Sequence, residues 1–303
     1  MTIRSLSVWL TASWILSACV HAPKPVDEAP ALGAADTCTT AEKIGRFDPA
    51  TDLFLAQFDI KTDTDDLHSA AAVATILSHP SFACVEYAAV SGTYGTQGGT
   101  YVDPETLFEN AFGDHWVEAH KRKVAAAAEL AARAAPVLAK GGHVWIMEGG
   151  QSDVSAETLQ QILAASEADD VASRFHIVQH SDWNEQVTTP EDLAFVQATA
   201  DYIKIPDGNA AGNGTPGFRT PDGSAWAALL AAKDVGAIWA QAKEMALRNN
   251  GSGRTEEGIA IGGYDNQAIG AGGLDFSDTS EMAYIFGYDS LADVDRFVEA
   301  FVR

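Results

Sequence analysis

Four carboxylates fall within eight residues in the stretch Asp59-Ile60-Lys61-Thr62-Asp63-Thr64-Asp65-Asp66. Side chains crowded in this way repel one another and raise each other's pKa unless a cation sits among them. An apolar run, Phe54 to Ile60, leads into the cluster, and a helix-forming run, Leu67 to Leu77, leaves it. Strand, acidic loop and helix is how an α/β protein offers oxygen ligands to a hard divalent ion at the carboxyl edge of its sheet. An EF-hand does not fit, because no glycine holds the turn position and no glutamate closes the loop. A phosphatase with an aspartate nucleophile needs Asp-x-Asp at the strand end, and Lys61 stands in place of its second Asp.

The elements that must position these residues alternate along the chain. Strands are expected at Phe54 to Ile60, Phe82 to Val90, His143 to Met147, Phe175 to Gln179 and Tyr202 to Ile205. Helices are expected at Leu67 to Leu77, over most of Pro104 to Ala139, and at Ser155 to Ala165, Pro190 to Thr199, Ala225 to Leu247 and Leu291 to Val302. Such alternation indicates βαβ units: an α/β fold with a mostly parallel, doubly wound, Rossmann-like sheet and helices on both faces. Polar residues gather after the strand ends, at Asp59 to Asp66, Ser91 to Thr100, Glu148 to Asp153, His180 to Glu185 and Asp207 to Asn213. In an open parallel sheet those ends share one edge, where ligands bind. The Gly/Asn/Pro loop over 206–223 is too long for a plain connection.

The N-terminus reads as a targeting segment. Arg4 and an apolar core from Leu6 to Leu16 precede Leu16-Ser17-Ala18-Cys19, and the core is too short for a settled membrane span. The pattern resembles a bacterial lipoprotein signal over 1–18, with Cys19 lipidated as the first residue of the mature chain. Val20 after the cysteine points to outer-membrane sorting, so the expected location is the cell envelope. Residues 19–50 then form an Ala/Pro-rich acidic tether, and 51–303 a single domain. The formal net charge of −23 argues against nucleic acid as a partner. Cys38 and Cys84 either pair, clipping the tether to the domain, or remain separate thiols with Cys84 buried in a strand.

The segment Asp59 to Asp66 is similar to the first motif of the nucleoside hydrolase superfamily, closest to the branch with an Asp-Ile-Gly-x-x-x-Asp-Asp sequence. Three further segments resemble that branch in the right order: Val144-Trp145-Ile146-Met147-Glu148-Gly149-Gly150, Phe175-His176-Ile177-Val178 with Ser181-Asp182, and Ser277-Asp278-Thr279-Ser280-Glu281. The resemblance covers Leu53 to Tyr288. It implies one Ca²⁺ held by Asp59, Asp65, Asp66 and Asp278, with Asp65 or Asp59 taking a proton from the attacking water. It implies cleavage of an N-glycosidic bond through an oxocarbenium-like state. The physics agrees, since Ca²⁺ takes six to eight oxygen ligands and carboxylates favour a positive sugar ring. Two positions depart from the pattern: Lys61 stands where the branch has Gly, and Ser277 where it has His or Gly.

Around this centre the substrate contacts expected are Asn184, Asp182 and Glu148, with Asn209 or Asn213 for a sugar hydroxyl. Asp63 is expected behind the ligands or facing solvent. Asp278 serves equally well as a helix cap, Asn184 and Asp182 as turn stabilisers, and Trp183 as a packing residue or a stacking platform. His180 is a candidate acid, and His68 a partner for a carboxylate or a catalyst. His115 and His120 read as surface, and Tyr94, Gln97, Gly98 and Gly99 as a surface loop or a lid. The expected partner is a small nucleoside or sugar, with a membrane held through Cys19 and a homo-oligomer left open. A non-catalytic nucleoside- or sugar-binding lipoprotein and an oligosaccharide glycosidase are the competing functions.

Overall fold

The computed structural model describes residues 38–61, 64–166, 170–210, 212–251, 254–256, 259–261 and 264–302. Cys19, the signal, most of the tether and Asp63 lie outside them. Six strands form one parallel sheet in the order β3-β2-β1-β4-β5-β6. They are β1 (Leu53–Phe58), β2 (Glu86–Ser91), β3 (Trp116–Glu118), β4 (Val144–Gly149), β5 (Phe175–Gln179) and β6 (Asp201–Lys204). The chain winds outward from β1 through β2 to β3, then returns to place β4 on the other side of β1. The carboxyl ends of β1 and β4 therefore flank the point where strand order reverses, the crevice in which such sheets bind ligands.

Both faces of the sheet are covered, which explains the near-continuous apolar runs. Phe54, Ala56 and Phe58 of β1 face one core, with the helices α1 (Asp65–Ser78) and α2 (Glu105–Phe112) and the later segment containing Trp239 and Phe276. Leu53 and Leu55 face the other core, against α3 (Lys123–Ala139) and α4 (Asp153–Ala165). Side chains alternate across the strand with period two, and each fully buried Leu or Phe contributes about 1.5–3 kcal/mol relative to exposure. Among the described residues no helix is long and apolar enough to cross a membrane.

Several expected boundaries move for identifiable reasons. The second strand begins at Glu86, because Pro80–Phe82 forms a 3-10 turn. Cys84 follows that turn and is bonded to Cys38, with Cα atoms 5.3 Å apart, so it is not a thiol buried in a strand. The helical region expected from Pro104 to Ala139 is broken. Gly113, at φ +56°, ends α2, and Trp116 to Glu118 pairs with Ala89 to Ser91 as the sheet edge. Of the one or two helices expected from Ala225 to Leu247, two form, Trp226–Ala231 and Gly236–Asn249. The long loop contributes a two-residue strand, Arg219–Thr220, paired antiparallel with Leu274–Asp275.

Candidate active site

At the reversal point lies a cavity of about 440 Å³. Its floor carries Asp59, Asp65, Asp66 and Asp278, and each of these residues is at most 6% exposed. Asp59 leaves the end of β1, Asp65 and Asp66 open α1, and Asp278 comes from the 3-10 turn Ser277–Thr279. Two glycines at the end of β4 allow the approach. A Cβ on Gly149 would sit 3.1 Å from the Asp278 Cβ, and one on Gly150 would sit 3.0 Å from the Asp59 Cβ and 2.4 Å from the Thr93 hydroxyl. Thr279, not Asp278, is the N-cap residue of the following helix; Asp278 Oδ2 accepts from the Ser69 hydroxyl at 3.3 Å.

The turn after β1 is unusual in its backbone. Ile60 has φ +53°, a left-handed conformation that costs a β-branched residue about 1–2 kcal/mol. Asp66 Oδ2 holds it by accepting from the Ile60 N–H at 2.5 Å. Lys61 N–H donates to Asp59 Oδ1 at 2.7 Å, and the Lys61 backbone bridges to Tyr101. The Lys61 side chain is not among the residues that line the cavity, although its charge still acts on Asp59. Its ammonium donates to the Gln97 carbonyl at 2.6 Å and lies 3.8 Å from the Tyr94 ring centre. Gln97 Nε2 returns a hydrogen bond to the Lys61 carbonyl at 2.8 Å. The loop holding Tyr94 and Gln97 is thus a pinned wall of the cavity rather than a loose surface loop.

Burial dominates the electrostatics of the floor. It raises Asp59 to about 6, against hydrogen bonds from Lys61 N–H and from Gln151 Nε2, the latter at 2.8 Å. Burial, then repulsion from Asp59 and Asp278, holds Asp66 well above the usual carboxylate range. Among the described residues Asp66 Oδ1 is buried with no hydrogen-bond partner, an arrangement that normally costs free energy.

A second pair reaches the floor from further along the chain. His180, after β5, shares a 2.6 Å hydrogen bond between Nδ1 and Glu281 Oε1. Its Nε2 faces Asp278 Oδ1 at 3.8 Å and Asp207 Oδ1 at 3.9 Å. Burial alone would lower this imidazole, but the carboxylates of Glu281, Asp278 and Asp207 outweigh it and raise His180 to about 9. The rim holds Trp183 and Tyr264, 58% and 46% exposed, together with Asp182, Asp207 and Arg219. Arg219 is fully engaged there. Nε pairs with Asp275 at 3.2 Å, and the two terminal nitrogens donate to Asn209 at 3.0 Å and Tyr264 at 3.1 Å.

The cavity brings together Asp59, Asp65, Asp66, Asp278, Asp182, Asn184 and Asn209. No family model, curated protein or solved structure matches the chain. Two expected contacts fall elsewhere. Glu148 is buried behind the floor, its oxygens taken by the hydroxyls of Ser152 at 2.6 Å and Ser155 at 2.7 Å. Asn213 is not in the lining and donates to the Asp207 carbonyl at 2.6 Å, bracing the loop. His68 is neither partner nor catalyst: burial lowers it to about 3, and its Nδ1 accepts from Asp275 N–H at 3.3 Å. His115 is exposed as expected, while His120 stacks on Tyr101 at 3.9 Å. Sequence reasoning missed Glu281, Arg219 and Tyr264. For Glu281 a signal existed, since it lies three residues after Asp278 and a helix turn puts such pairs on one face.

The floor matches a hard cation in the chemistry of its donors: clustered carboxylates, one oxygen buried without a partner among the described residues, and acids whose pKa burial raises, for Asp66 with repulsion from its neighbours. Among the described residues no three acidic, imidazole or thiol groups close to the spacing of a formed metal site. The carboxylates converge on the cavity without meeting at a point.

Proposed function

We propose that this chain is a Ca²⁺-dependent hydrolase of N-glycosidic bonds in ribosides, of the nucleoside hydrolase type, carried outside the cytoplasm on a lipid at Cys19. The observation that carries the reading is the set of buried carboxylates at the strand-order reversal, with Asp66 Oδ1 left without a partner. Asp59, Asp66 and Asp278 would hold the ion, with Asp65 beside them on the floor. When bound, Ca²⁺ would supply a lowered pKa for water and an anchor for a sugar diol. Asp65 takes the proton of the attacking water. Gln151 fixes Asp59 through its amide at 2.8 Å and also reaches Asn184 Oδ1 at 3.3 Å, so metal and sugar contacts are set together. Asn184, Asn209 and His180 Nε2 present polar groups to sugar hydroxyls, while the acidic floor favours positive charge on the ring.

Reducing-sugar release from purine and pyrimidine ribosides and from oligosaccharides, with Asp66→Asn and Asp278→Asn as controls, tests this. The expected result is Ca²⁺-dependent release of ribose, reduced at least about 100-fold in either variant. Binding of ribosides without release would favour a capture protein, and release from oligosaccharides alone a glycosidase; either would refute the proposal.

A further inference from the structure

The rim of the cavity differs from its floor in a way that bears on the leaving group. Its aromatic residues, Trp183 and Tyr264, leave about half of their surface in water although both line the cavity. Beside them stand Asp182 and Asp207, whose side chains are 84% and 51% exposed. Among the described residues the cations here are shared among more carboxylates than cations, His180 Nε2 facing Asp207 at 3.9 Å. Arg219 is matched by buried Asp275, and Lys204 is shared between Asp182 at 3.0 Å and Glu185 at 2.9 Å, one ammonium against two carboxylates. Exposed aromatic faces beside surplus carboxylates favour a flat cation.

A leaving group that needs no proton also suits such a rim. A neutral nucleobase needs a proton as it departs, whereas a ring nitrogen that already carries positive charge leaves as a neutral molecule. Among the described lining residues, the imidazole of His180 lies on the floor against Glu281 and faces Asp278 and Asp207. The Tyr264 hydroxyl accepts from an Arg219 terminal nitrogen at 3.1 Å.

We infer that the rim selects a riboside with a cationic aromatic aglycone, an N-ribosylpyridinium, over neutral nucleosides. This rests on the riboside hydrolase reading. Water adds its oxygen to the anomeric carbon. The carbon–nitrogen bond breaks with its electron pair going to the ring nitrogen. The products are ribose, a neutral pyridine and one proton, which leaves through the carboxylate that accepted it. No oxidant or second substrate is required.

Two measurements test the inference separately from the reading it rests on. In the first, kcat/KM for N-ribosylpyridinium is compared with that for inosine and uridine in the full-length protein with Ca²⁺. The expected preference for the cation is at least about tenfold, shrinking as salt rises and narrowing about threefold or more in Asp182→Asn and Trp183→Leu. In the second, tryptophan fluorescence of the calcium-loaded protein is titrated with N-ribosylpyridinium and with inosine, using Trp183→Phe to assign the signal. Tighter binding of the cation, quenching Trp183, is expected whether or not turnover occurs. Turnover of inosine or uridine at least as fast as the cation overturns the inference and leaves the hydrolase reading standing. No turnover of any riboside overturns the hydrolase reading, and the fluorescence order then decides whether the rim prefers cations.

Discussion

Both edges of the sheet carry buried ionisable groups, and they are solved in opposite ways. At the amino edge Asp52 is saturated. Its oxygens accept from the backbone N–H groups of Asp48 at 2.9 Å and His143 at 3.0 Å, from Trp145 Nε1 at 3.2 Å and from the Thr51 hydroxyl at 3.0 Å. Beside it His143 meets His176 at 2.7 Å, and His176 meets Asp201 at 2.6 Å, with the Trp145 ring stacked 3.9 Å away. At the carboxyl edge four buried carboxylates stand together on the cavity floor, and Asp66 Oδ1 has no hydrogen-bond partner among the described residues. A polar cluster with enough donors rigidifies a fold. One that is short of donors holds unspent affinity for a ligand, and that is the better criterion for a site than the number of charges.

The amino edge should break first. Asp52→Ala strands two backbone donors and an indole donor, so we expect a loss of about 3 kcal/mol or more in urea unfolding. Asp66→Asn, which relieves repulsion, is expected to be neutral or stabilising in metal-free protein at pH 8. A large loss there would make Asp66 structural and erase the contrast.

Calcium should act next most strongly, and with a definite pH sign. Asp59 is raised to about 6 and Asp66 is raised further. A carboxyl raised in the folded state contributes stability that is complete below its ordinary range and is lost as pH rises through the folded value. Metal-free protein should therefore lose stability as pH rises through about 6, and Ca²⁺ should restore it. The calcium-induced gain, about 2.7 kcal/mol at a hundredfold excess over Kd, should grow between pH 5 and pH 8 in differential scanning fluorimetry. A gain that does not change with pH would mean that the ion binds elsewhere.

Glu148 gives a smaller test of the layer behind the floor. Burial raises it to about 7 against hydrogen bonds from Ser152, Ser155 and Gln179, so its contribution is lost as pH rises through about 7. Glu148→Gln should stabilise the protein by about 1–3 kcal/mol at pH 8 and by much less at pH 5, read as thermal midpoints.

Lys61 should matter least. With its ammonium held by Gln97 and Tyr94, Lys61→Met should change calcium affinity by less than about threefold, under about 1 kcal/mol. A tenfold tightening would show that the ammonium competes for the ion.

What could be read from the sequence was local. The apolar run into Asp59, the paired Asp65-Asp66 at a helix start and the alternation of strands and helices are short-range patterns, and they placed the floor of the cavity. The partners that complete it are distant. Glu281 reaches His180 across 101 residues, and Arg219 finds Asp275 only because two short strands pair. Trp116 to Glu118 gave too brief a signal to stand out beside two helices. The Lys61 ammonium finds the Gln97 carbonyl and the Tyr94 ring more than thirty residues along the chain, and the left-handed backbone of Ile60 beside it is not announced by residue type. Glu148 was misplaced because an acid at a strand end reads the same whether it faces the cavity or the serines behind it.

Isothermal titration of metal-stripped protein with Ca²⁺ at pH 7.5 shows whether the buried carboxylates hold an ion. One ion per chain is expected, with binding weakened at least about 100-fold, or about 2.7 kcal/mol, in both Asp66→Asn and Asp278→Asn. Absence of calcium uptake by the folded wild-type protein, or uptake unchanged in both variants, would contradict it.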